Sequence, residues 1–316
     1  MTDWLLRPAR AERLALVRIL VAGYGVVWLI VRFPHLVDVA DFASSRWRPV
    51  GVLAPFDQPP AAGLMLLLAA VAVGAGTAVL LGWRHRVTGP VFAVALLVVT
   101  TWRTSWGQIF HTENLLVLHV LVLALVPAAA AWSLDARRLG PPAKAEGRFG
   151  WPVRVMALAT VAAYFVAGVA KLRYGGWAWL DGDVLAHQVA YDNLRKAAVG
   201  SVTSPLAGPM LGASWLFTPM AFGSLAVELG APLALLSARW SRWWAAAAWV
   251  FHLGIVVIMV IVFAYPLSGV ALVPVLLAHG TDVPLPGVRR TLRDAWTTRR
   301  SRRRGRSSPE RAPSPS

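Results

Sequence analysis

The sequence predicts an all-α fold, a polytopic integral membrane helical bundle of about eight transmembrane helices with short helices at the membrane interface. Two observations support this fold class. The chain is 57% hydrophobic and only 15% charged over 316 residues. Its charges are clustered between apolar segments of about 20 residues, a length that crosses a bilayer. The longest stretch outside these segments, 172–214, is too short for a separate soluble domain.

The apolar segments can be placed along the chain by the charges that flank them. The first carries Arg18 and lacks a small-residue cleavage site, which indicates a retained helix and not a signal peptide. The last two are separated only by Pro266, so they form either two spans or one bent helix with a re-entrant piece. An amphipathic stretch at 183–198 predicts an interfacial helix. The predicted spans, numbered in chain order, are residues 14–33, 61–82, 88–105, 112–132, 152–171, 215–237, 243–262 and 263–279.

Charge also divides the chain into two parts. Residues 1–280 contain all of the predicted spans, and residues 281–316 form a basic segment rich in Arg, Ser and Pro. This composition is typical of a disordered tail that is attracted to anionic lipid head groups. The net charge of +16 lies mainly in this tail and in short loops, so it indicates membrane lipids and not nucleic acid as the partner.

The loops on one side of the predicted membrane carry most of the basic residues, and both termini lie on that side. Cytoplasmic loops carry the excess of Lys and Arg in membrane proteins. We therefore expect a multi-pass protein of the cell membrane with both termini in the cytoplasm and the loop 172–214 outside. The basic residues on the side of the termini, apart from the tail, are Arg7, Arg10, Arg13, Arg84, Arg86, Arg137, Arg138, Lys144, Arg148, Arg239 and Arg242.

Lys171 is the most informative residue of the chain, because it stands at the end of span 5 in the apolar run YFVAGVAKL, residues 164–172. A charged amine in hydrocarbon costs roughly 2.5–3.5 kcal/mol on insertion scales, so such residues usually face a bundle interior and are functional candidates. A buried amine can also lose its proton, and the neutral amine is a base. The other interpretation is a lysine that extends its amine to the lipid head groups.

The other polar residues of the predicted spans separate by depth. His111 and Lys171 lie at the outer ends of spans 4 and 5, and His252 lies near the middle of span 7. We expect these three side chains to share one site that faces the outer side. Arg18 and Glu228 both lie in the inner half, which predicts a buried ion pair between them.

Structural interpretations stay open for the histidines. His111 can cap span 4 together with Thr112 and Asn114, His252 can bind a backbone carbonyl, and His119 is expected to be structural. The sequence contains no cysteine, which excludes disulfides and thiol chemistry. The separation of His111 and His119 does not match the spacing of metal ligands, so we expect no metal.

Several motifs resemble those of vitamin K-dependent gamma-carboxylases, whose membrane domain belongs to the broader HTTM (horizontally transferred transmembrane) family. The run YFVAGVAKL, followed by Trp177, resembles the segment that bears their catalytic lysine, and Lys171 is the matching position. The resemblance extends over about residues 10–280. The shorter matches are HTENL at 111–115 after Trp106, with a register longer by two residues, FH at 251–252 and ERLALVR at 12–18.

The resemblance implies a membrane enzyme that uses a reduced quinone similar to vitamin K hydroquinone, with O2 and CO2 as co-substrates and no metal. Lys171 would be the base that deprotonates the quinone, and a peptide or small-molecule acid would be carboxylated on the extracytoplasmic side. The resemblance assigns catalysis to Lys171, His111 and His252, and cofactor binding to Asn114, Tyr164 and Trp177.

Two departures limit what the resemblance implies. Ala170 takes the place of a second lysine, which changes the electrostatics beside the base. No counterpart of the large extracytoplasmic substrate-binding region of the animal enzymes follows the last span, so carboxylation of a protein is not expected. The alternative is a non-catalytic lipid- or quinone-binding protein or a transporter that shares the fold. A one-sided cluster of polar residues favours a pocket over a transport route.

The arginine asymmetry generates a prediction about topology. Alkaline phosphatase fused near Asn193 should be active, because that position is expected outside, and a fusion at the C-terminus should be inactive. Green fluorescent protein fused at the same two positions provides the reciprocal control. An active phosphatase at the C-terminus would contradict the predicted orientation.

Overall fold

The structure is a computed structural model that describes residues 2–108, 111–140, 142 and 144–280. Within these ranges the chain forms helices joined by turns, with one isolated antiparallel bridge between Ala9 and Glu146. The all-α prediction is therefore confirmed. The predicted basic tail, residues 281–316, lies outside the described residues.

The helices range in length from 4 residues to 34. In chain order they are α1 (Thr2–Leu6), α2 (Ala11–Ala40), α3 (Ala62–Leu81), α4 (His85–Thr104), α5 (Asn114–Ala124), α6 (Leu134–Leu139), α7 (Gly147–Leu180), α8 (Asp183–Ala198), α9 (Ala207–Gly212), α10 (Phe217–Leu229), α11 (Ala238–Met259), α12 (Ala264–Leu267) and α13 (Val273–Leu277). Six of these described helices are long and apolar enough to cross a membrane, namely α2, α3, α4, α7, α11 and, with its flanking 3₁₀ turns, α10.

Two of the predicted spans do not form long helices. Span 4 contains only α5, which ends at Ala124 shortly before Pro127, and span 8 contains α12 and α13, which are separated by Gly269 with a φ of 80°. Proline cannot donate a backbone hydrogen bond, and a left-handed glycine turns the chain, so neither stretch continues as one helix. The structure supports six long spans, and the total of eight stays a prediction.

The two interrupted segments nevertheless run along neighbouring long helices. At one end of α4, Glu113 pairs with Arg103, and at the other end the His85 ring nitrogen Nε2 lies 3.0 Å from the Leu123 carbonyl oxygen. Residues 113–123 therefore lie antiparallel to α4. The chain from α12 to α13 runs in the same way beside α11, where Trp249 donates to the Leu267 carbonyl and Ser241 donates to the Val275 carbonyl.

Helix α7 connects two hydrophobic cores. Its first half contributes Phe149 and Met156 to a core formed mainly by α2, α3, α4 and α5. The next two turns contribute Ala157 and Tyr164 to a core shared with the 3₁₀ turn after α10, with α11 and with α13. Because α7 buries some side chains in one core and other side chains in the second core, it is the helix that joins the two parts of the bundle.

The sequence places Lys171 at the end of span 5, but in the structure the helix continues beyond it, because α7 ends at Leu180. The helix is kinked at Gly176, whose φ of 54° and ψ of −139° are non-helical. Lys171 therefore lies more than one helical turn before the kink, within regular helix. The helix predicted at 183–198 is confirmed as α8, and its position at the membrane interface stays a prediction.

Helix α8 and the loop after it are bound to the end of α11. Lys196 donates to the Met259 and Val260 carbonyls, and Ser204 Oγ donates to the Val257 carbonyl at 2.7 Å. The last carbonyls of a helix have no partner within the helix, so these donors satisfy them. The contacts fix the point where α11 ends.

Gly168 allows α7 and α10 to approach closely. A Cβ atom at this position would lie 2.9 Å from Leu229 Cδ2 and 3.0 Å from Glu228 Cβ. Both distances are shorter than ordinary van der Waals contact, and the Glu228 Cβ is fixed to the backbone of α10. Only glycine fits at this contact without separating the two helices.

We expect Gly168→Ala to destabilise the protein, because overpacking of a close contact typically costs about 1–3 kcal/mol. The matched control is Gly223→Ala on α10, where an added Cβ would have no neighbour within 4 Å. Thermal unfolding in detergent should show a lower midpoint for Gly168→Ala and an unchanged or higher midpoint for Gly223→Ala. Equal midpoints for the two variants would contradict the close approach.

Candidate functional site

Lys171 forms an ion pair with Glu228. The Lys171 Nζ donates to Glu228 Oε1 at 2.8 Å, and the two side chains are 22% and 6% exposed. Glu228 lies in the last turn of α10, next to the contact at Gly168. Because Gly168 is one turn before Lys171 on α7, the close approach of the helices brings the amine within reach of the carboxylate.

The predicted ion pair between Arg18 and Glu228 is wrong. The Arg18 guanidinium donates to the carbonyls of Ala128, Ala131 and Trp132, at 3.1, 3.3 and 2.6 Å. These carbonyls lie in the turns after α5, where the backbone has no regular helical partners. Arg18 satisfies this irregular backbone, and its role is structural.

Two aromatic rings contact the Lys171 amine. Its Nζ lies 4.7 Å from the centre of the Trp179 ring and 5.4 Å from the centre of the Phe251 ring, which are cation–π distances. Trp177, the tryptophan that the resemblance assigns to cofactor binding, is 80% exposed. The indole beside the amine is Trp179, which follows the kink at Gly176. In the sequence, the two consecutive glycines at 175–176 indicate a possible change of direction at this point.

Tyr164 and His252 form the second polar part of the site. The Tyr164 hydroxyl lies 2.7 Å from His252 Nε2, and the Tyr164 ring also packs edge-on against Trp244. Tyr164 and Lys171 are seven residues apart on α7, so both lie on the face that meets α10 and α11. His252 follows Phe251, which contacts the amine. The structure thus brings together three of the sequence-predicted residues, Lys171, Tyr164 and His252, and adds Glu228.

His111 and Asn114 lie further from this cluster. His111 is exposed, and its ring centre is 5.6 Å from that of Phe263, which in turn is 5.2 Å from the His252 ring. Asn114 is exposed at the first residue of α5. His111 therefore connects to His252 through one phenylalanine, whereas Asn114 is a surface position at a helix start.

Two other polar residues of α5 and its start have structural roles. Glu113 is buried and accepts from Arg103 at 2.9 Å and from the Trp28 indole at 3.2 Å. His119 is fully buried and bonds to the Tyr265 hydroxyl and the Met156 carbonyl. The structural role expected for His119 is confirmed.

Three buried polar atoms around Lys171 have no hydrogen-bond partner among the described residues. They are Glu228 Oε2, His252 Nδ1 and Trp179 Nε1. Buried polar atoms in proteins are almost always paired with protein, water or ligand. Glu228 and His252 are themselves only 4% and 6% exposed. The Lys171 site is defined by Lys171, Glu228, His252, Tyr164 and Trp179. Its unpaired polar atoms can form hydrogen bonds with a small polar ligand.

The long apolar helices and the buried ionisable groups define a multi-pass membrane protein with a polar site inside its helical bundle. A family model of the HTTM domain matches residues 6–279. The chain therefore belongs to the HTTM domain family. A search of curated proteins and a search of solved structures found no match. Within the described residues, no group of three or more His, Asp and Glu side chains could hold a metal ion.

The observed pairing generates a prediction for double-mutant cycles. Lys171→Met and Glu228→Gln should be strongly non-additive in thermal stability, because each single change leaves a buried charge without its partner, at a typical cost of about 3–5 kcal/mol. Arg18→Gln and Glu228→Gln should be additive, since these residues do not interact. Additive effects in the first cycle would contradict the ion pair.

Proposed function

We propose that this HTTM protein is a quinol- and O2-dependent membrane enzyme of the carboxylase or epoxidase type, in which Lys171 is the base. One observation carries the proposal. A partly buried amine lies beside three buried polar atoms that have no partner in the described protein. Buried polar atoms without a hydrogen bond occur elsewhere in the described residues, for example at His85 Nδ1 and Trp102 Nε1, but around Lys171 three of them surround one amine.

The chemistry of the Lys171 site fits a flat ring with hydroxyl groups. Glu228 Oε2 can accept a hydrogen bond from a ligand hydroxyl, and the Trp179 indole N–H can donate one to a ligand oxygen. The rings of Trp179 and Phe251 provide flat apolar surface near the amine. A lipid-soluble hydroquinone combines these features and can enter such a site from the bilayer.

A reduced quinone supplies, with O2, the oxidation chemistry that protein side chains lack. Lys171 accepts a proton from a hydroxyl group of the reduced quinone. His252 is held by Tyr164 and orients the ligand through its second ring nitrogen, and His111 supports His252 through Phe263. The surrounding apolar side chains exclude water, which would otherwise consume a strongly basic species. A peptide or small-molecule acid is the substrate that receives CO2.

The proposed orientation sets where this chemistry takes place. With both termini in the cytoplasm, Lys171 lies in the outer half of α7, so the chemistry is proposed to take place on the extracytoplasmic side of the cell membrane. Asn114 and Trp177 are exposed positions. In this proposal they contact a ligand or lipid at the entrance and not at the reacting group.

The second candidate is a lipid- or quinone-binding protein or a transporter without catalysis. The ion pair favours it, because a carboxylate 2.8 Å from the amine stabilises the protonated lysine, and an ammonium is not a base. In that case the Lys171 site would bind the ring and hydroxyl groups of its ligand without proton transfer. Turnover separates the two candidates.

Lys171→Ala should lower quinol-dependent O2 consumption by about 100-fold to 10,000-fold, the usual contribution of a general base. Lys171→Arg should also fail, because guanidinium keeps its proton. Lys144→Ala, at an exposed position, is the matched control and should keep full activity. Purified protein would be assayed with reduced naphthoquinones, O2 and CO2, and co-purified lipids would be identified by mass spectrometry.

If the wild-type protein consumes no more quinol than Lys171→Ala, the enzyme proposal is wrong. A quinone that co-purifies with wild type and not with Lys171→Ala would then support the binding function. Thermal unfolding of each variant shows whether loss of activity follows from loss of the fold.

A further inference from the structure

A lysine base has a chemical difficulty at this site. An ammonium has no lone pair, so Lys171 cannot accept a proton while it is the cation of an ion pair. Glu228 can remove this obstacle, because its Oε1 is 2.8 Å from Nζ and a proton can pass directly along that hydrogen bond. The transfer converts the ion pair into a neutral amine beside a neutral carboxylic acid.

The surroundings of the pair favour the neutral form more than water would. The Glu228 side chain is 6% exposed, and its Cβ packs closely against α7 at Gly168. Charged groups lose far more hydration on burial than neutral ones. The titratable groups that face the pair are Tyr164 from α7 and His252 from α11. Neither supplies a second carboxylate that would hold Lys171 in its charged form.

We infer that Glu228 is a catalytic proton acceptor that works with Lys171 as a proton-sharing pair, and that the ligand hydroxyl binds at Glu228 Oε2. This inference rests on the proposed function. The ligand class is a flat aromatic ring with a weakly acidic hydroxyl, a phenol or hydroquinone. Glu228 Oε2 is suited to this contact because it is buried and has no partner in the described protein.

The proton transfers balance without any change of oxidation state. An N–H bond breaks at Lys171 Nζ as an O–H bond forms at Glu228 Oε1. The ligand O–H bond then turns from Glu228 Oε2 to the neighbouring Nζ, whose lone pair takes the proton, and the electron pair of that O–H bond stays on the ligand oxygen. The products are an ammonium, a carboxylic acid and a ligand anion, so the total charge of the three groups is zero throughout. The rings of Trp179 and Phe251 contact the ammonium in this final state.

The test uses 1-naphthol as a probe, under anaerobic conditions, with the full-length protein in detergent. Infrared difference spectra should show a new carboxylic acid C=O band when 1-naphthol binds, together with the longer-wavelength absorbance of its anion. Glu228→Gln should remove the carboxylic acid band, which assigns it. Lys171→Arg should lose both signals, and because it keeps the positive charge beside Glu228 it preserves the ion pair and the fold.

The outcomes separate this inference from the proposed function. Formation of the naphthol anion in wild type without a Glu228 band would overturn the role of Glu228 and leave Lys171 as the base. No anion in wild type would overturn the Lys171 base itself. A carboxylic acid band that persists in Lys171→Arg would show that Glu228 accepts the proton alone, and would overturn the proton-sharing pair.

Discussion

Inside a lipid bilayer a polar group has no water to bond with, so each buried charge of this chain must find its partner within the bundle. The Lys171–Glu228 pair is the contact in which this constraint has the widest consequences. It requires α7 and α10 to approach closely, which Gly168 permits. Helix α7 contributes to both hydrophobic cores. The pair therefore holds α10 against the helix that joins the two cores.

The same constraint links the buried arginines to the interrupted helices. Arg18 donates to carbonyls in the turns after α5, and Arg154 donates to the Ala278 carbonyl after α13 and to the Leu5 and Arg7 carbonyls near the N-terminus. Irregular backbone is tolerated at membrane depth only where the protein itself supplies hydrogen bonds. A guanidinium has five N–H donors, so one arginine can satisfy several carbonyls. The buried arginines therefore supply the hydrogen bonds that the interrupted helices lack.

The sequence predicts the parts of this fold that follow from composition along the chain. It does not predict the contacts that depend on which helices are adjacent in the fold. Hydropathy locates the long helices, and amphipathic spacing locates α8. The depth of Arg18 and Glu228 suggested a pair, but depth does not determine which helices are adjacent, and Arg18 is instead bound by the turns after α5. Lys171, Tyr164 and His252 could be named from motifs. Trp179 could not, because the kink at Gly176 decides which indole meets the amine.

A second buried ion pair shows what is particular about Glu228. Glu113 pairs with Arg103 at 2.9 Å and is as deeply buried, but its other carboxylate oxygen accepts the Trp28 indole N–H at 3.2 Å. Both of its oxygens are thus used by the protein, as expected for a structural pair. Glu228 uses one oxygen for Lys171 and leaves the other without a partner in the described protein. The two pairs also differ in their cation, because the Arg103 side chain is 5% exposed and the Lys171 side chain is 22% exposed. The use of both Glu113 oxygens fits a role in stability, whereas the second oxygen of Glu228 is suited to bind a ligand.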